Sequence, residues 1–189
     1  MNPPIKILGI AGSLRNQSYN RAALRAAAAL VPQGATLEIF ALDDIPVFNQ
    51  DHEQALPAAV VKLKDAVRGA DAILFVTPEY NYSIPGVLKN AIDWASRPHG
   101  QNAWAGRTAA IMGVSVGTFG SARAQYHLRQ VLVTLGMPTV NLPEVMIGNA
   151  GERFDTKGML ADQKTESLIN KLLVSLVTLT RQMRSTDKT

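Results

Sequence analysis

A three-layer α/β sandwich, with a five-stranded parallel sheet between two layers of helices, is the architecture that three features of the sequence predict. Short apolar or β-branched runs alternate with helical patterns along the chain. Five strands, each followed by a helix, imply parallel strands joined by right-handed crossovers. One run, Ala72–Thr77, is almost wholly apolar, as a strand covered on both faces is. The 189 residues match the length of one domain and contain no repeat or linker, so residues 1–189 read as a single unit. Five strands favour the order 2-1-3-4-5, with ligand at the carboxyl ends of the strands where the order reverses.

Each element has its own signal. Ile5–Ile10 is a β-branched run that ends in a Gly/Ser loop. Arg21–Val31 is Ala-rich and helical, and Pro32–Gly34 stops it. Thr36–Leu42 reads as the second strand. Pro57–Ala70 is an amphipathic helix, because Leu56, Val60, Leu63, Val67 and Ala70 recur at helical spacing. Pro85 sits in the first turn of a helix reaching Ala95. Thr108–Ser115 is the fourth strand, Ala122–Leu135 a helix and Thr139–Leu142 the fifth strand. Ser167–Met183 closes the chain, with Leu168, Leu172, Leu176, Leu179 and Met183 on one face.

Composition excludes several functions. There is no Cys, which removes a disulfide scaffold, a thiolate nucleophile and Cys-ligated metal. The net charge of +4 comes from scattered basic residues without a stripe, so nucleic-acid binding is not expected. His52, His99 and His127 lack metal-ligand spacing. The start Met1–Ile10 has one Lys and too short an apolar run for a signal peptide, and Leu172–Leu179 is too short to span a membrane. The expected location is the cytoplasm, with no membrane partner.

Three loops at the privileged end carry the chemistry. Gly9–Asn20 runs from strand end to helix start, and a helix N-terminus offers free N–H groups and positive dipole to a phosphate. Ser13 and Ser18 supply hydroxyls, Asn20 an amide and Arg15 a charged fork. The competing role for Ser18 or Asn20 is to cap the helix. Neither a Walker loop nor Gly-x-Gly-x-x-Gly occurs here. Thr77–Gly86 is a loop stiffened by Pro78 and Pro85 that carries Tyr80, Asn81 and Tyr82. Such a loop can present backbone N–H groups to an aromatic heterocycle flanked by its aromatic side chains. The competing role is a turn whose tyrosines pack on the sheet edge. Ser115–Ser121 contains Gly113-Val-Ser115-Val-Gly117, which matches the nucleophile elbow of serine hydrolases. No carboxylate lies between Ser115 and His127, the one downstream His, so the required order of triad residues fails.

Gly12-Ser13-Leu14-Arg15-x-x-Ser18-x-Asn20 and Pro78-Glu79-Tyr80-Asn81-x-Ser83-x-Pro85-Gly86-x-Leu88-Lys89-Asn90-Ala91-Ile92-Asp93-Trp94 together resemble the flavodoxin-like NAD(P)H-dependent FMN reductase family. Within it the chain is most similar to the bacterial quinone and chromate reductase branch, with Gly120-Ser-Ala-Arg123-Ala-Gln-Tyr126-His-Leu-Arg129 in support. The resemblance spans roughly residues 5–180. It implies that Ser13, Arg15, Ser18 and Asn20, with Tyr19 in the same loop, hold the FMN phosphate. Pro78, Glu79, Tyr80 and Asn81 then line the isoalloxazine, and Ser115 and Gly117 border the ring or ribityl chain.

The same resemblance implies two-electron chemistry carried by FMN: hydride from NADPH or NADH, then reduction of a small acceptor by ping-pong kinetics. Quinones, chromate, azo and nitro compounds and free flavin are the expected acceptors. The loop leaves no obvious course for an adenylate, so FMN is expected rather than FAD. A flavodoxin-like one-electron carrier is the alternative, and the +4 charge argues against it. A homodimer or homotetramer is expected through the helices containing Trp94 and Tyr126. On the fourth helix Arg123, Tyr126, Arg129, Gln130 and Val133 face away from the stripe Ala124, Leu128, Val131, Leu132 and Leu135.

Overall fold

Alternate residues of the central strands are buried on opposite sides of one sheet, and that period of two builds the two cores. The computed structural model describes residues 3–186. Strands β1 (Ile5–Ala11), β3 (Ala72–Val76) and β4 (Thr108–Val114) are buried almost throughout. Ile7, Leu74 and Met112 enter one core, whereas Leu8, Phe75 and Ile111 enter the other. Helices α1 (Tyr19–Ala29) and α6 (Gln163–Thr186) close the first core. Helices α2 (Ala58–Gly69), α3 (Gly86–Ala95) and α4 (Ala122–Thr134) close the second. The sheet is parallel, in the order β2-β1-β3-β4-β5, with β2 (Ala35–Phe40) at one edge. This is the expected flavodoxin-like order, and it places the ends of β1, β3 and β4 side by side.

Strand β5 is Val145–Ile147, not the expected Thr139–Leu142. Thr139 forms a single parallel bridge to Ala109, and Val140 N–H donates to Ala109 O at 2.8 Å. The chain then leaves β4 through exposed Leu142 and Pro143, which has no N–H for a ladder, before Val145–Ile147 pairs with Met112–Val114. A short helix α5 (Ala150–Arg153) follows, one turn long and without a signal in the sequence pattern.

Three further details differ from expectation. Helix α6 begins at Gln163 rather than Ser167, because Asp162 accepts from the Thr165 N–H at 2.9 Å and caps it earlier. Met183 is exposed, since the buried face of α6 runs through Ile169, Leu172, Leu173, Leu176 and Val177. Trp94, expected on a helix of the subunit contact, presents no surface of its own. It is fully buried, its ring lies edge-on to Phe48 at 4.9 Å, and its Nε1 donates to Pro46 O at 2.8 Å. A distant segment covers it, which helical period alone does not reveal.

Candidate functional site

The loops after β1, β3 and β4 are held together by backbone bonds before any side chain is considered. Gly12 N–H donates to Val76 O at 2.9 Å, and Thr77 N–H to Met112 O at 2.9 Å. Gly113 has its Cα against the Thr77 carbonyl and the Ser121 hydroxyl, where a Cβ would overlap both. Gly120 lies at φ 55°, and a Cβ on it would overlap the Met146 backbone. Such contacts fix loop positions through backbone shape.

The first loop has the character of an anion cradle. The N–H groups of Ser13, Leu14, Arg15, Asn16 and Gln17 find no acceptor among the described residues. Ser13 is 3% exposed, and its hydroxyl has no protein partner among them. Its carbonyl accepts from Arg21 Nε at 2.8 Å, and Arg21 pairs in turn with Asp43 at 2.6 Å. Ser18 is buried and caps α1, accepting from Asn20 N–H at 3.2 Å and from Arg21 N–H at 3.4 Å. Exposed Arg15 leans on Gln17 O at 2.7 Å. Backbone donors, a free hydroxyl and a guanidinium at a helix N-terminus fit a terminal phosphate.

Asn20 has a different task from the expected donation to phosphate. Its amide bonds both ways with the Val114 backbone, Nδ2 to O and N–H to Oδ1, each at 2.9 Å. It clamps the first turn of α1 to the end of β4. Tyr19 packs its ring against Phe154, centroids 5.2 Å apart.

In the second loop Thr77 and Pro78 are buried, and Tyr80 and Ser83 exchange two backbone bonds of 3.0 Å around Asn81 and Tyr82. Both central residues have positive φ, 50° and 68°. Such a tight turn leaves Tyr80, Asn81 and Tyr82 exposed above the sheet end. Glu79 turns the other way. Its carboxylate pairs with the Arg123 guanidinium and accepts from Arg123 N–H at 3.0 Å, at the start of α4. Ser121, the residue before α4, makes no side-chain cap of its own, so Glu79 caps α4 from a separate loop.

Arg123 is the residue whose role at this end the sequence least reveals. Its guanidinium lies 3.8 Å from the Tyr82 ring centroid and 5.1 Å from that of Phe119, within the range of cation–π attraction. It thereby couples the second loop to the third. In the third loop Ser115 Oγ donates to Gly117 O at 2.9 Å rather than to a His. Gln125 Nε2 anchors the loop to Val145 O at 3.0 Å and Gly120 O at 3.2 Å. Val116 and Gly117 are exposed, with N–H groups free of acceptors among the described residues.

A doubly wound α/β protein with a loop of free backbone donors at the switch point is the class that this fold and site define. The chain belongs to the NADPH-dependent FMN reductase family, which it matches over residues 5–152. It is 52% identical over 185 residues to an NAD(P)H-dependent FMN reductase of Pseudomonas aeruginosa, covering 97% of this chain and 100% of that one. A 2-hydroxy-1,4-benzoquinone reductase of a Burkholderia species is 40% identical over 169 residues, 89% of this chain and 92% of the relative. Among solved structures, the flavoenzyme NAD(P)H:(acceptor) oxidoreductase FerB of Paracoccus denitrificans superposes with a TM-score of 0.87 at 35% identity. That superposition covers 95% of this chain and 98% of FerB.

Proposed function

We propose that this chain is an NAD(P)H-dependent, FMN-containing oxidoreductase that passes two electrons to small acceptors, quinones foremost. The observation that carries it is the run of five N–H groups before α1 that find no acceptor among the described residues, beside the unpaired hydroxyl of Ser13. When bound there, FMN supplies the acceptance of hydride from the nicotinamide and its delivery as two electrons.

The protein's part is placement. Ser13, Arg15, Ser18 and the loop N–H groups bind the phosphate, and Asn20 and Tyr19 hold the helix that presents them. Pro78, Tyr80 and Asn81 border the ring on a loop whose stiffness comes from its tight turn, while Glu79 acts through α4. Ser115 and Gly117 close the third side. The Ser115 N–H is held by Ile147 O at 3.0 Å, whereas the Gly117 N–H has no acceptor among the described residues and would be available to negative charge on a reduced ring. NADPH or NADH and the acceptor use the same open face in turn, which gives ping-pong kinetics. Besides quinones, that face admits chromate, azo and nitro compounds and free flavin. The working location is the cytoplasm, where reduced nicotinamide is supplied. No helix among the described residues is long and apolar enough to cross a membrane.

The protein also works as a homodimer or homotetramer through α4. Tyr126 and Val133 are 49% and 78% exposed on its outer face, the kind of aromatic and aliphatic exposure that interfaces cover. Trp94, being buried, takes no part.

The deciding experiment is titration of the purified protein with FMN, followed by anaerobic NAD(P)H oxidation against benzoquinone. The expected result is a yellow protein with parallel double-reciprocal lines at several quinone concentrations. A colourless protein that takes up no FMN overturns the assignment.

A further inference from the structure

A cleft of about 600 Å³ takes in the proposed phosphate cradle at Arg15–Ser18 and continues along α1 to Arg25, with Val116, Asp155 and Lys157 on its other walls. That volume lies in the range of whole small-ligand sites, far above what one phosphate needs. Its far wall is an ordered hairpin. Phe154 bridges Leu160, Asp155 N–H donates to Met159 O at 2.9 Å, and Gly158 N–H to Asp155 O at 2.9 Å. The Tyr19–Phe154 ring contact ties the hairpin to α1. This hairpin lies beyond residue 152, where the family match ends.

The chemistry of the walls is specific. Arg25 and the Lys157 ammonium have no partner among the described residues, although both line the cleft. Asp155 uses Oδ1 for two backbone bonds, from Lys157 N–H at 2.9 Å and Met159 N–H at 2.8 Å. Its Oδ2 accepts none of these. Arg25 stands seven positions after Ser18, so it places a cation about 10 Å down the helix from the cradle. Two free cations suit a second phosphate, and a free carboxylate oxygen suits the hydroxyls of a ribose, as acidic residues do in dinucleotide sites.

We propose that this cleft receives the adenosine-phosphate tail of FAD, so that the protein holds FAD as well as FMN. The proposal rests on the cradle binding the flavin's own phosphate, because the tail continues covalently from that group. It reverses the expectation, drawn from the loop alone, that an adenylate has no course here. The hairpin that provides the course lies more than 130 residues downstream of the loop.

The test uses the full chain stripped of flavin and titrated separately with FMN, FAD and NADPH, with binding read by quenching of flavin fluorescence and by calorimetry. The variants are Arg25→Glu, Lys157→Glu and their combination, all at exposed positions outside the cradle. The expected result is that wild type binds both flavins and the double variant loses about tenfold or more in FAD affinity, the size of a lost charge-assisted contact. FMN affinity stays unchanged. Three results overturn the proposal while leaving FMN binding intact: no FAD binding by wild type, FAD affinity unmoved by the substitutions, or a loss confined to NADPH. An equal loss for both flavins also overturns it, as would follow from general damage to α1. If wild type binds neither flavin, the cradle assignment itself fails and this proposal falls with it.

Discussion

Asn20 and Val114 exchange two hydrogen bonds of 2.9 Å, joining the first turn of α1 to the last residue of β4 across 94 positions of sequence. Both residues are buried. Replacing Asn20 by Leu leaves the Val114 N–H and C=O unpaired, at about 1–3 kcal/mol for each buried group. The expected result is a lower urea midpoint together with weaker FMN binding, since the cradle loses its anchor. Unchanged stability in Asn20→Leu would show that water replaces the amide.

Arg15 is exposed and, among the described residues, reaches only Gln17 O. Arg15→Ala should therefore leave stability within about 0.5 kcal/mol and weaken FMN binding by about 1.5–3 kcal/mol, the range for a bond to a charged group. Calorimetric titration of the flavin-free protein reads the second quantity, and thermal melting the first.

Glu79→Gln keeps the shape of the residue that caps α4 but removes its charge. The ion pair to Arg123 is half open to solvent on the Arg side, so the expected destabilisation is modest, about 1–2 kcal/mol as for the loss of a helix cap. Freed from its partner, Arg123 should shift on the Tyr82 ring, and the Michaelis constant for quinone should change more than that for NAD(P)H. Equal changes in both constants would argue against a local effect.

Lys64 is buried, with its ammonium donating to the carbonyls of Arg97 and, at 3.4 Å, of Gln101. Burial pushes its pKa below the ordinary value of 10.5, with nearby Arg68 adding to the fall and Glu53 opposing it. In the window between the lowered value and 10.5 the unfolded chain binds more protons than the folded one, so this group makes stability rise with pH. Below the window both states are protonated and the cost of burying the charge is fully present. Relative to Lys64→Met, the wild type should gain stability as pH rises towards 10, measured by urea unfolding. A difference independent of pH would refute the assignment.

Tyr126→Glu and Val133→Glu should loosen the proposed oligomer, whereas Lys62→Glu on exposed α2 surface should not. Light scattering at micromolar concentration checks both, and a wild-type mass near the 20.4 kDa of one chain would refute the oligomer.

The sheet order was legible because short, almost wholly apolar runs such as Ala72–Thr77 alternate with helical patterns of period 3.6. Which alternate residues of those runs enter which core shows only in the folded sheet. The convergence of three loops followed from that order. Long-range covering was not legible. Trp94 sits at the border of its helical stripe, and only the path of Pro46–Phe48 decides that it is buried. Thr139–Leu142 has the β-branched composition of a strand, yet Val145–Ile147, three residues long, takes the place beside Met112–Val114. In the site, Ser13, Arg15 and Ser18 lie together in the loop before α1, with Ser18 as its cap. The turning of Asn20 and Glu79 onto other elements depends on β4 and α4, which lie about 45–95 positions away and exert no local signal.

Gly120 packs without a side chain against the backbone that leads into Ile147, whereas Val116, Thr118 and Phe119 just before it project into solvent. The third loop thus separates frame from lettering. Its course is set by main-chain contact, and the characters written on its outer edge are free to change. Laboratory evolution towards new electron acceptors should accumulate substitutions at 116, 118 and 119 with little loss of folding yield. Any β-carbon at 120 should be purged in the first round, whatever acceptor is selected for.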